Sequence, residues 1–394
     1  MSDASGPSGP LVGLKVVELA HLVAGPMAGS IMADLGADVV HVEAPQTGDP
    51  ARRVGPSKDG VPLWWKVGAR NKRSVTIDLR TSEGQSLARR LAGWADVVIT
   101  NFRPATLERW QLDHRTLQRT NRSLITLQIS AFGATGSGRD RTGFGKIGEA
   151  MSGAPFLTGD ASGRPMLAGY LLSDAVAALM GVVAVEAALY RRSVDESFDG
   201  EWIDVALFEP LFRMIDWQVI VHDQLGFVPE RAGDDSPMSE TALVETLLTD
   251  DGDWIVVSCG TDRALAGAAE IVGRVQGELD PAELGRALGE WVATRPTNEC
   301  ETVLAGAGVS VSRVYSVADI VADPLYTARE NIVTVDDPDL GPVRMPAVLP
   351  HLRSHPGRVW RTAPTLGQDN DDVFSNLLGL SQSEISRLRR SGTI

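Results

Sequence analysis

The sequence is short of the features that mark secreted, metal-binding and nucleic-acid-binding proteins. Its 394 residues include 2 cysteines, Cys259 and Cys300, too few for a disulfide framework, which indicates a reducing, cytoplasmic setting. The formal net charge of −14 leaves no general basic surface for nucleic acid or anionic membranes. The 6 histidines lack the spacing typical of a zinc site, so we predict no metal.

A leader peptide, a long hydrophobic run and a dinucleotide fingerprint are lacking as well. The opening MSDASGPSGP has neither the charged nor the apolar region of a signal peptide. The longest apolar run lies between Asp174 and Glu186, about half a membrane span, so we predict no transmembrane segment and no membrane partner. The turn HLVAGPMAG after the first predicted strand lacks the G-x-G-x-x-G order, which argues against a nicotinamide-dependent dehydrogenase.

What the chain does contain is an alternation of short β-rich runs and amphipathic helices. Residues 14–19 read as a strand, the stretch from Gly25 to Leu35 as a helix and residues 38–43 as a second strand. This order is typical of a parallel α/β sheet. Further strands are predicted at 74–79, 96–100, 123–129 and 202–205.

The pattern changes along the chain and predicts more than one domain. We predict a large α/β region over 1–222, a linker over 223–237 and a second domain over 238–325. In the second domain, Asp250-Asp-Gly252 marks a hairpin turn between two apolar runs. Residues 326–394 are predicted to return to the large domain and complete it, ending in a helix.

One carboxylate stands at the predicted start of the most apolar helix. Every side chain from Ala175 to Val185 is apolar or absent, which is typical of a buried helix, and Asp174 precedes this run. Asp is a common N-cap, so a structural role is one interpretation. In the other, Ser173 or the turn itself caps the helix. Asp174 is then a nucleophile at the positive end of the helix dipole, close to N–H groups that can hold an oxyanion.

Basic side chains gather at the predicted carboxyl ends of two strands, where ligands of open α/β sheets bind. They are Lys72, Arg73 and Arg80 around strand 74–79, with Arg103 and Arg109 after strand 96–100. In so acidic a chain, this group favours a phosphate-rich ligand, although any one of these residues is ordinary on a solvated surface. The Gly-rich segment 131–138 reads equally as a surface turn or as a ligand loop.

These pieces resemble, in order and spacing, the class III CoA-transferase family, which contains formyl-CoA transferase and carnitine CoA-transferase. The resemblance implies an α/β fold with a Rossmann-like large domain whose parallel sheet is built from both chain ends. It also implies a smaller inserted α+β domain and an interlocked homodimer. It rests on the segments 14–45, 71–84, 96–113, 132–153, 323–350 and 378–394.

The resemblance also implies the site. Asp174 matches the position of the family nucleophile. The implied chemistry is acyl transfer between an acyl-CoA and a carboxylic acid through an aspartyl anhydride and an aspartyl-CoA thioester, with no cofactor beyond CoA. The positions that match CoA contacts are Val23, Ala24, Ile77, Asp78, Leu79, Arg80, Asn101, Phe102, Arg103, Arg109, Gly143, Phe144, Gly145 and Lys146.

Departures from the family pattern bear on the alternatives. In the related α-methylacyl-CoA racemase a histidine and an acid stand where this chain has Phe144 and Gly145, so racemisation is disfavoured. Oxalate-using members carry Gln and Arg where this chain has Val23 and Ala44. A non-catalytic CoA-binding protein is the third alternative, and the presence of Asp174 argues against it. In the resemblance, residues 232–240 correspond to the loop that covers the nucleophile, and a loop from elsewhere in the chain is the alternative. Phe144, Tyr170, Leu171 and Leu172 are candidates to line an apolar pocket beside Asp174, with packing in the core as the other interpretation.

Overall fold

The computed structural model describes residues 6–234, 242–275 and 280–394, which fall into two compact units. The first contains residues up to 155 together with 167–227 and 328–394; the second contains 156–166 and 228–327. The sequence-based division left 156–166 in the large domain. In the structure this segment belongs to the second unit, where the Arg231 guanidinium donates to the carbonyl of Phe156 at 3.0 Å.

The first unit is built on a six-stranded parallel sheet in which β1 lies near the middle. The strand order is β3-β2-β1-β4-β5-β6, so the direction of strand addition reverses between β1 and β4. The strands are β1 (Lys15–Leu19), β2 (Asp38–Glu43), β3 (Arg73–Thr76), β4 (Val97–Thr100), β5 (Ile125–Ser130) and β6 (Glu201–Ala206). This sheet and its helices confirm the predicted α/β class.

Apolar side chains cover both faces of the sheet. On one face, helices α1 (Ala24–Asp34) and α4 (Leu172–Val194) pack with residues such as Val39 and Leu127. On the other, helix α2 (Ser82–Trp94) and the terminal helix Gln382–Arg390 pack with residues such as Val17. Because the central strands are buried on both faces, apolar residues stand at consecutive positions in them, as at 16–17 and 97–99.

Shorter helices connect these elements. Predicted strand 74–79 ends in the structure at Thr76. The amphipathic pattern over 206–222 predicts one helix, but the structure has two, because Asp216 accepts the N–H of Trp217 and starts a second one. Further α-helices described in this unit are Leu63–Gly68, Pro104–Trp110, His114–Gln118, α3 (Gly145–Met151), Glu209–Met214, Trp217–Leu225 and Asn370–Asp372. A 3₁₀-helix at Pro50–Arg53 and a π-helix at Val373–Leu377 lie in it as well.

Helix α4 is longer than the apolar run that predicted it. It spans 23 residues, and an 18-residue window within it has a mean hydropathy of 1.8, which satisfies the length and composition of a membrane span. The helix is longer than the apolar run because it continues past Glu186 to Val194. Ala177, Val182 and Val185 on this helix are nevertheless buried against the sheet, as in the core helix of a globular domain.

The C-terminal segment is fastened to the edge of the sheet at β3. Asn370 accepts the N–H of Thr76 at 2.8 Å, Asp369 accepts that of Ser74 at 2.7 Å, and the carbonyl of Thr393 accepts the N–H of Asp78 at 2.8 Å. The C-terminal segment thus belongs to the large unit, as predicted. All six strands of the parallel sheet lie within residues 15–206, however, so the expectation that both chain ends build the sheet is wrong. A two-stranded antiparallel ribbon, β10 (Ile332–Asp337) with β11 (Gly341–Pro346), belongs to this returning segment.

The second unit is a small α+β domain. Its antiparallel sheet has the order β9-β8-β7, with β7 at Leu243–Leu248, β8 at Trp254–Cys259 and β9 at Ser310–Arg313. The hairpin predicted around Asp250–Gly252 is confirmed. Its helices are Asp262–Ile271, Pro281–Val292, Thr297–Gly306, Val317–Ala322 and Pro324–Ala328. Cys259 and Cys300 are buried in its core, and burial raises the pKa of both thiols, which makes them poor nucleophiles.

Candidate active site

The candidate site lies at the carboxyl ends of the central strands of the parallel sheet. The loops that follow β1 and β4 meet there, where the strand order reverses. Crevices at such points are the usual ligand sites of open α/β sheets. Asn101, directly after β4, accepts the backbone N–H of His21 at 3.0 Å and donates to its carbonyl at 2.6 Å, so the two loops are tied together.

The loop after β1 has a strained backbone conformation that is held by a hydrogen bond to a carboxylate. Leu22 has a φ of 64°, which is uncommon for a non-glycine residue, and its N–H donates to the Asp49 carboxylate at 3.0 Å. Helix α1 begins immediately afterwards, and the N-cap residue Val23 makes no side-chain capping bond. The N–H groups of the first turn of α1 are therefore without a side-chain cap where Val23 and Ala24 line a cavity.

Asp174 lies in the first turn of α4, as the sequence predicts, but it is not a cap. The N-cap is Leu171, and no side chain caps this helix. Ser173 does not cap it either, because its hydroxyl donates to the carbonyl of Leu207 at 2.7 Å. The N-cap interpretation of Asp174 is therefore wrong. Its side chain lines a cavity at this helix start, where the carboxylate accepts a hydrogen bond from its own backbone N–H.

Helix α3 approaches the Asp174 carboxylate so closely that a Cβ on its first residue, Gly145, would force one of the two to move. A methyl group on Gly145 would collide with Oδ2 of Asp174. Helix α3 also begins without a side-chain cap, at Phe144. Three helix starts without a side-chain cap, those of α1, α3 and α4, thus surround one cavity. This arrangement offers N–H donors and positive helix-dipole ends to an oxyanion formed beside Asp174.

The close approach at Gly145 predicts the effect of one added methyl group. Gly145→Ala must displace either the carboxylate or the start of α3, and a misplacement of about 1 Å costs on the order of 100-fold in rate. We expect such a loss in kcat/KM for any reaction in which Asp174 is the nucleophile, while the thermal unfolding curve stays close to that of the wild type. Gly306→Ala is the matched control, since it also replaces a helical glycine but its Cβ meets open space. Full activity of Gly145→Ala would contradict this geometry.

Burial dominates the electrostatics of Asp174. The residue is 8% exposed, and desolvation raises the pKa of its carboxyl group to about 6. The nearby Lys146 ammonium partly counters this effect, whereas the Glu149 carboxylate adds to it. At pH 7 the group is therefore mostly ionised but far more basic than an exposed aspartate, as a carboxylate nucleophile requires.

Three cavities at this edge of the sheet bring together most of the predicted site residues. They have volumes of about 200, 280 and 500 Å³, and His21 lines all three. The smallest contains Asp174, Val23, Ala24, Asn101, Gly143, Phe144, Gly145 and Lys146. The second is lined by Asn101, Phe102, Arg103, Gly143 and Phe144. The largest is lined by Ile77, Asp78, Leu79, Arg80 and Phe102.

Some of the predicted lining residues lie elsewhere. Leu171 and Phe144 line the Asp174 cavity, whereas Tyr170, 64% exposed, and Leu172 are not among its walls. Arg109 is exposed on the helix beside the largest cavity, with its guanidinium 6.0 Å from the Trp110 ring. In the loop predicted to cover the nucleophile, 232–240, positions 235–240 lie outside the described residues.

The structure reassigns two of the basic side chains that favoured a phosphate-rich ligand. Lys72 is completely buried, and its ammonium donates to Glu18 at 2.8 Å and to the carbonyl of Pro26 at 2.6 Å. Arg73 forms ion pairs with Asp38 and Asp372. Both residues therefore serve the fold. Arg80 stays available, since its side chain is 81% exposed and pairs only with the neighbouring Asp78.

A buried charge network lies beneath the loop after β1. His41 is 2.5 Å from Glu18 and 3.3 Å from Asp49, and all three side chains are buried. Burial alone would lower the pKa of His41, but these carboxylates raise it to about 10, so the imidazole is charged at neutral pH. Asp49 in turn bonds the N–H of Leu22. The network thus fixes the loop that carries Val23 and Ala24.

The sequence interpretation missed His21, Arg139 and Arg141. Arg139 and Arg141 line the second cavity, and Arg141 stacks 4.3 Å above the Phe132 ring. Burial lowers the pKa of His21, so its imidazole is neutral at pH 7. No sequence pattern marks these residues, because their placement depends on where the loops after β1 and β5 cross. Within residues 6–234, 242–275 and 280–394, no three His, Cys, Asp or Glu side chains are placed to hold a metal ion.

Comparison with known proteins identifies the family of the chain. The family model described as CoA-transferase family III matches residues 11–370. The chain belongs to CoA-transferase family III. It is therefore an enzyme of the class III CoA-transferases, as its sequence motifs predict.

Named relatives and a solved structure support this assignment. The chain is 36% identical to succinyl-CoA–D-citramalate CoA-transferase of Chloroflexus aurantiacus, over 98% of this chain and 99% of that protein. It is 32% identical to succinate–glutarate CoA-transferase of Agrobacterium fabrum, over 96% of this chain and 98% of that protein. A CAIB/BAIF family protein from Brucella suis superimposes with a TM-score of 0.83 at 32% identity, covering 94% of this chain and 100% of that one.

Proposed function

We propose that this family III enzyme transfers CoA from a short acyl-CoA to a carboxylic acid, with Asp174 as the nucleophile. The observation that carries the proposal is the basic, buried Asp174 carboxylate facing a cavity walled by three helix starts that lack side-chain caps. At about 200 Å³ this cavity is smaller than typical sites for drug-sized ligands, roughly 300–1,000 Å³, which favours a short acyl group. The named relatives use succinyl-CoA or succinate.

The first half of the reaction loads CoA onto the enzyme. The Asp174 carboxylate attacks the thioester carbonyl, the C–S bond breaks, and CoA leaves as a thiolate from a mixed anhydride. The thiolate then attacks the carbonyl carbon of Asp174, and the donor acid leaves as a carboxylate. The product is an aspartyl-CoA thioester. N–H groups at the helix starts stabilise the oxyanion of each addition.

The second half runs the same steps in reverse order with the acceptor. The acceptor carboxylate attacks the aspartyl thioester and expels the CoA thiolate, which forms a second anhydride. The thiolate attacks the acceptor-derived carbonyl carbon and releases Asp174 as a carboxylate. No net proton is taken up or released, which explains why the site needs an ionised carboxylate rather than an acid–base pair.

We propose that CoA occupies the two larger cavities beside Asp174. Arg80 at the mouth of the largest cavity and Arg103 in the second are cations able to hold phosphates by charge-assisted hydrogen bonds. Asn101 lines the cavity of Asp174 as well as the second one, so a ligand extended along them would reach the nucleophile. Arg109, whose place in the structure is beside this path, stays a predicted phosphate contact.

Transfer itself tests the proposed function. The purified protein is incubated with succinyl-CoA and, one at a time, with acetate, glutarate, malate, citramalate and oxalate, and the acyl-CoA products are identified by mass spectrometry. We expect a new acyl-CoA from at least one acid, with recovery of free succinate in equal amount. Binding of CoA without transfer from succinyl-CoA, acetyl-CoA or propionyl-CoA to any of these acids would overturn the proposal.

The raised pKa of Asp174 predicts how activity depends on pH. Only the ionised carboxylate is nucleophilic, and its pKa is raised to about 6. We therefore expect kcat/KM to be constant above about pH 7 and to fall roughly tenfold for each pH unit well below pH 6. The profile is measured with a donor and acceptor whose own carboxyl groups stay ionised over the range. Constant kcat/KM down to pH 4.5 would contradict the assigned environment of Asp174.

A further inference from the structure

Lys146 and Glu149 form an ion pair on α3 that reaches across to the segment before Asp174. Nζ of Lys146 lies 2.9 Å from Oε2 of Glu149, and Glu149 itself is 2% exposed. The two residues are one helical turn apart, so their side chains lie on the same side of α3. The helix start beside them is the one that touches the Asp174 carboxylate.

The pair forms hydrogen bonds with the backbone of residues 168–170. The Lys146 ammonium donates to the carbonyl of Ala168 at 2.6 Å and to that of Tyr170 at 2.9 Å. The other carboxylate oxygen of Glu149 accepts the N–H of Ala168 at 2.6 Å. An ammonium has three donors, and all three of Lys146 are used in this way. Charge-assisted bonds of this kind hold a segment more firmly than neutral ones.

This segment leads directly into α4. Residue 171 is the N-cap of α4, and Asp174 lies in its first turn. A shift of residues 168–170 would therefore also move the first turn of α4 and with it the Asp174 carboxylate. Because the three donors of Lys146 are engaged, its ammonium has none left for CoA, and a positioning role fits it better than the CoA contact implied by family resemblance.

We propose that Lys146 and Glu149 are a positioning pair that clamps residues 168–170 and so fixes the place and the electrostatic environment of the Asp174 nucleophile. This inference rests on the proposed function of Asp174. The pair differs from an ordinary structural salt bridge because its two members act on Asp174 in opposite senses, Lys146 favouring the ionised carboxylate and Glu149 opposing it.

The other titratable groups near Asp174 do not produce this pair of opposite effects. His21, on the loop after β1, lines the same cavity but is held neutral by burial. Glu209, on the helix that follows β6, is engaged by the N–H of Ala206 at 2.8 Å. The first turn of α1 carries no acidic side chain. Lys146 and Glu149 are therefore the charges whose removal should move the ionisation of Asp174.

The test compares Lys146→Met with Glu149→Gln. Met keeps the apolar stem of the lysine and removes its charge, whereas Gln keeps an oxygen for the N–H of Ala168. We expect the acid limb of the kcat/KM–pH profile to move to higher pH in Lys146→Met and to lower pH in Glu149→Gln, each by at least about 0.5 pH unit. Arg213→Met removes a pair of the same spacing, 3.0 Å from Asp216 on an exposed surface, and should leave the limb unchanged.

A second readout separates failure of this inference from failure of the proposed function. The ionisation of Asp174 is followed by NMR in protein carrying ¹³C at the aspartate carboxyl carbons, with Asp174→Asn identifying the resonance. The titration midpoint should move in the same opposite directions even if no acid accepts CoA. Equal midpoints in both variants, or shifts of the same sign, would overturn the inference. If Lys146→Met does not fold, Lys146→Gln provides the same comparison.

Discussion

Asp174→Asn should lose CoA transfer almost completely while the protein stays folded. The amide is nearly the same size as the carboxylate but cannot form the anhydride, and loss of a covalent nucleophile removes at least about 1,000-fold of the rate. The measurement is kcat/KM for the donor and acceptor pair found in the transfer screen. Glu186→Gln is the matched control, because it neutralises another carboxylate of α4 whose pKa is raised by burial.

The same variant should be more stable than the wild type. The folded-state pKa of Asp174 is about 6 against an ordinary value of 3.8, so the folded protein holds this proton more tightly than the unfolded chain. Stability therefore falls as pH rises from about 4 to 6, and the cost at pH 7 is up to about 3 kcal/mol. Asn removes that cost, so Asp174→Asn should unfold at higher temperature at pH 7.5. An inactive variant that is also less stable would make unfolding the simpler explanation.

Lys72→Met should destabilise the fold more than any other change considered above. Lys72 and Glu18 are both fully buried, and the ammonium also bonds the carbonyl of Pro26. Removing one partner of a buried pair leaves the other charge without compensation, which costs about 3–5 kcal/mol. We expect a loss of this size in the free energy of unfolding, measured by urea titration at pH 7.

Two further variants decide whether the buried charge is the cause. In Lys72→Met/Glu18→Gln the stranded carboxylate is neutralised, so part of the lost stability should return. Arg122→Met breaks an exposed pair with Asp199 and should leave the urea midpoint unchanged, because surface pairs are screened by solvent. If Lys72→Met were as stable as Arg122→Met, the assigned role of this network under the loop after β1 would be wrong.

The regular elements of the fold were predictable because their signals are local. β2 was predicted over 38–43 and occupies Asp38–Glu43, because three of its six residues are valines, which favour a buried strand. The helix Pro281–Val292 begins after Asp280, which caps it as the Asp-Pro start signal predicts. Asp174 was predictable for the same reason, as a carboxylate directly before a long apolar helix.

The surroundings of Asp174 depend on contacts between distant residues and were less predictable. Lys72 was interpreted as an anion ligand, because no residue near it in the sequence indicates that its ammonium forms an ion pair with Glu18, 54 positions away. In the sequence, Gly145 was notable only because the related racemase has an acid at this position. In the structure, its lack of a side chain allows α3 to approach the Asp174 carboxylate. The Lys146 clamp likewise joins residues 22 and 24 positions apart. Such contacts carry no periodic signal in the sequence.

The most direct test of a covalent role for Asp174 is the mass of the intact protein after incubation with succinyl-CoA alone. With no acceptor present, the account predicts an adduct equal to CoA minus water that hydroxylamine removes. Peptide mapping should place it on Asp174, and Asp174→Asn should carry none. A protein that transfers CoA at full rate yet forms its adduct on another residue, or keeps it in Asp174→Asn, would contradict the account.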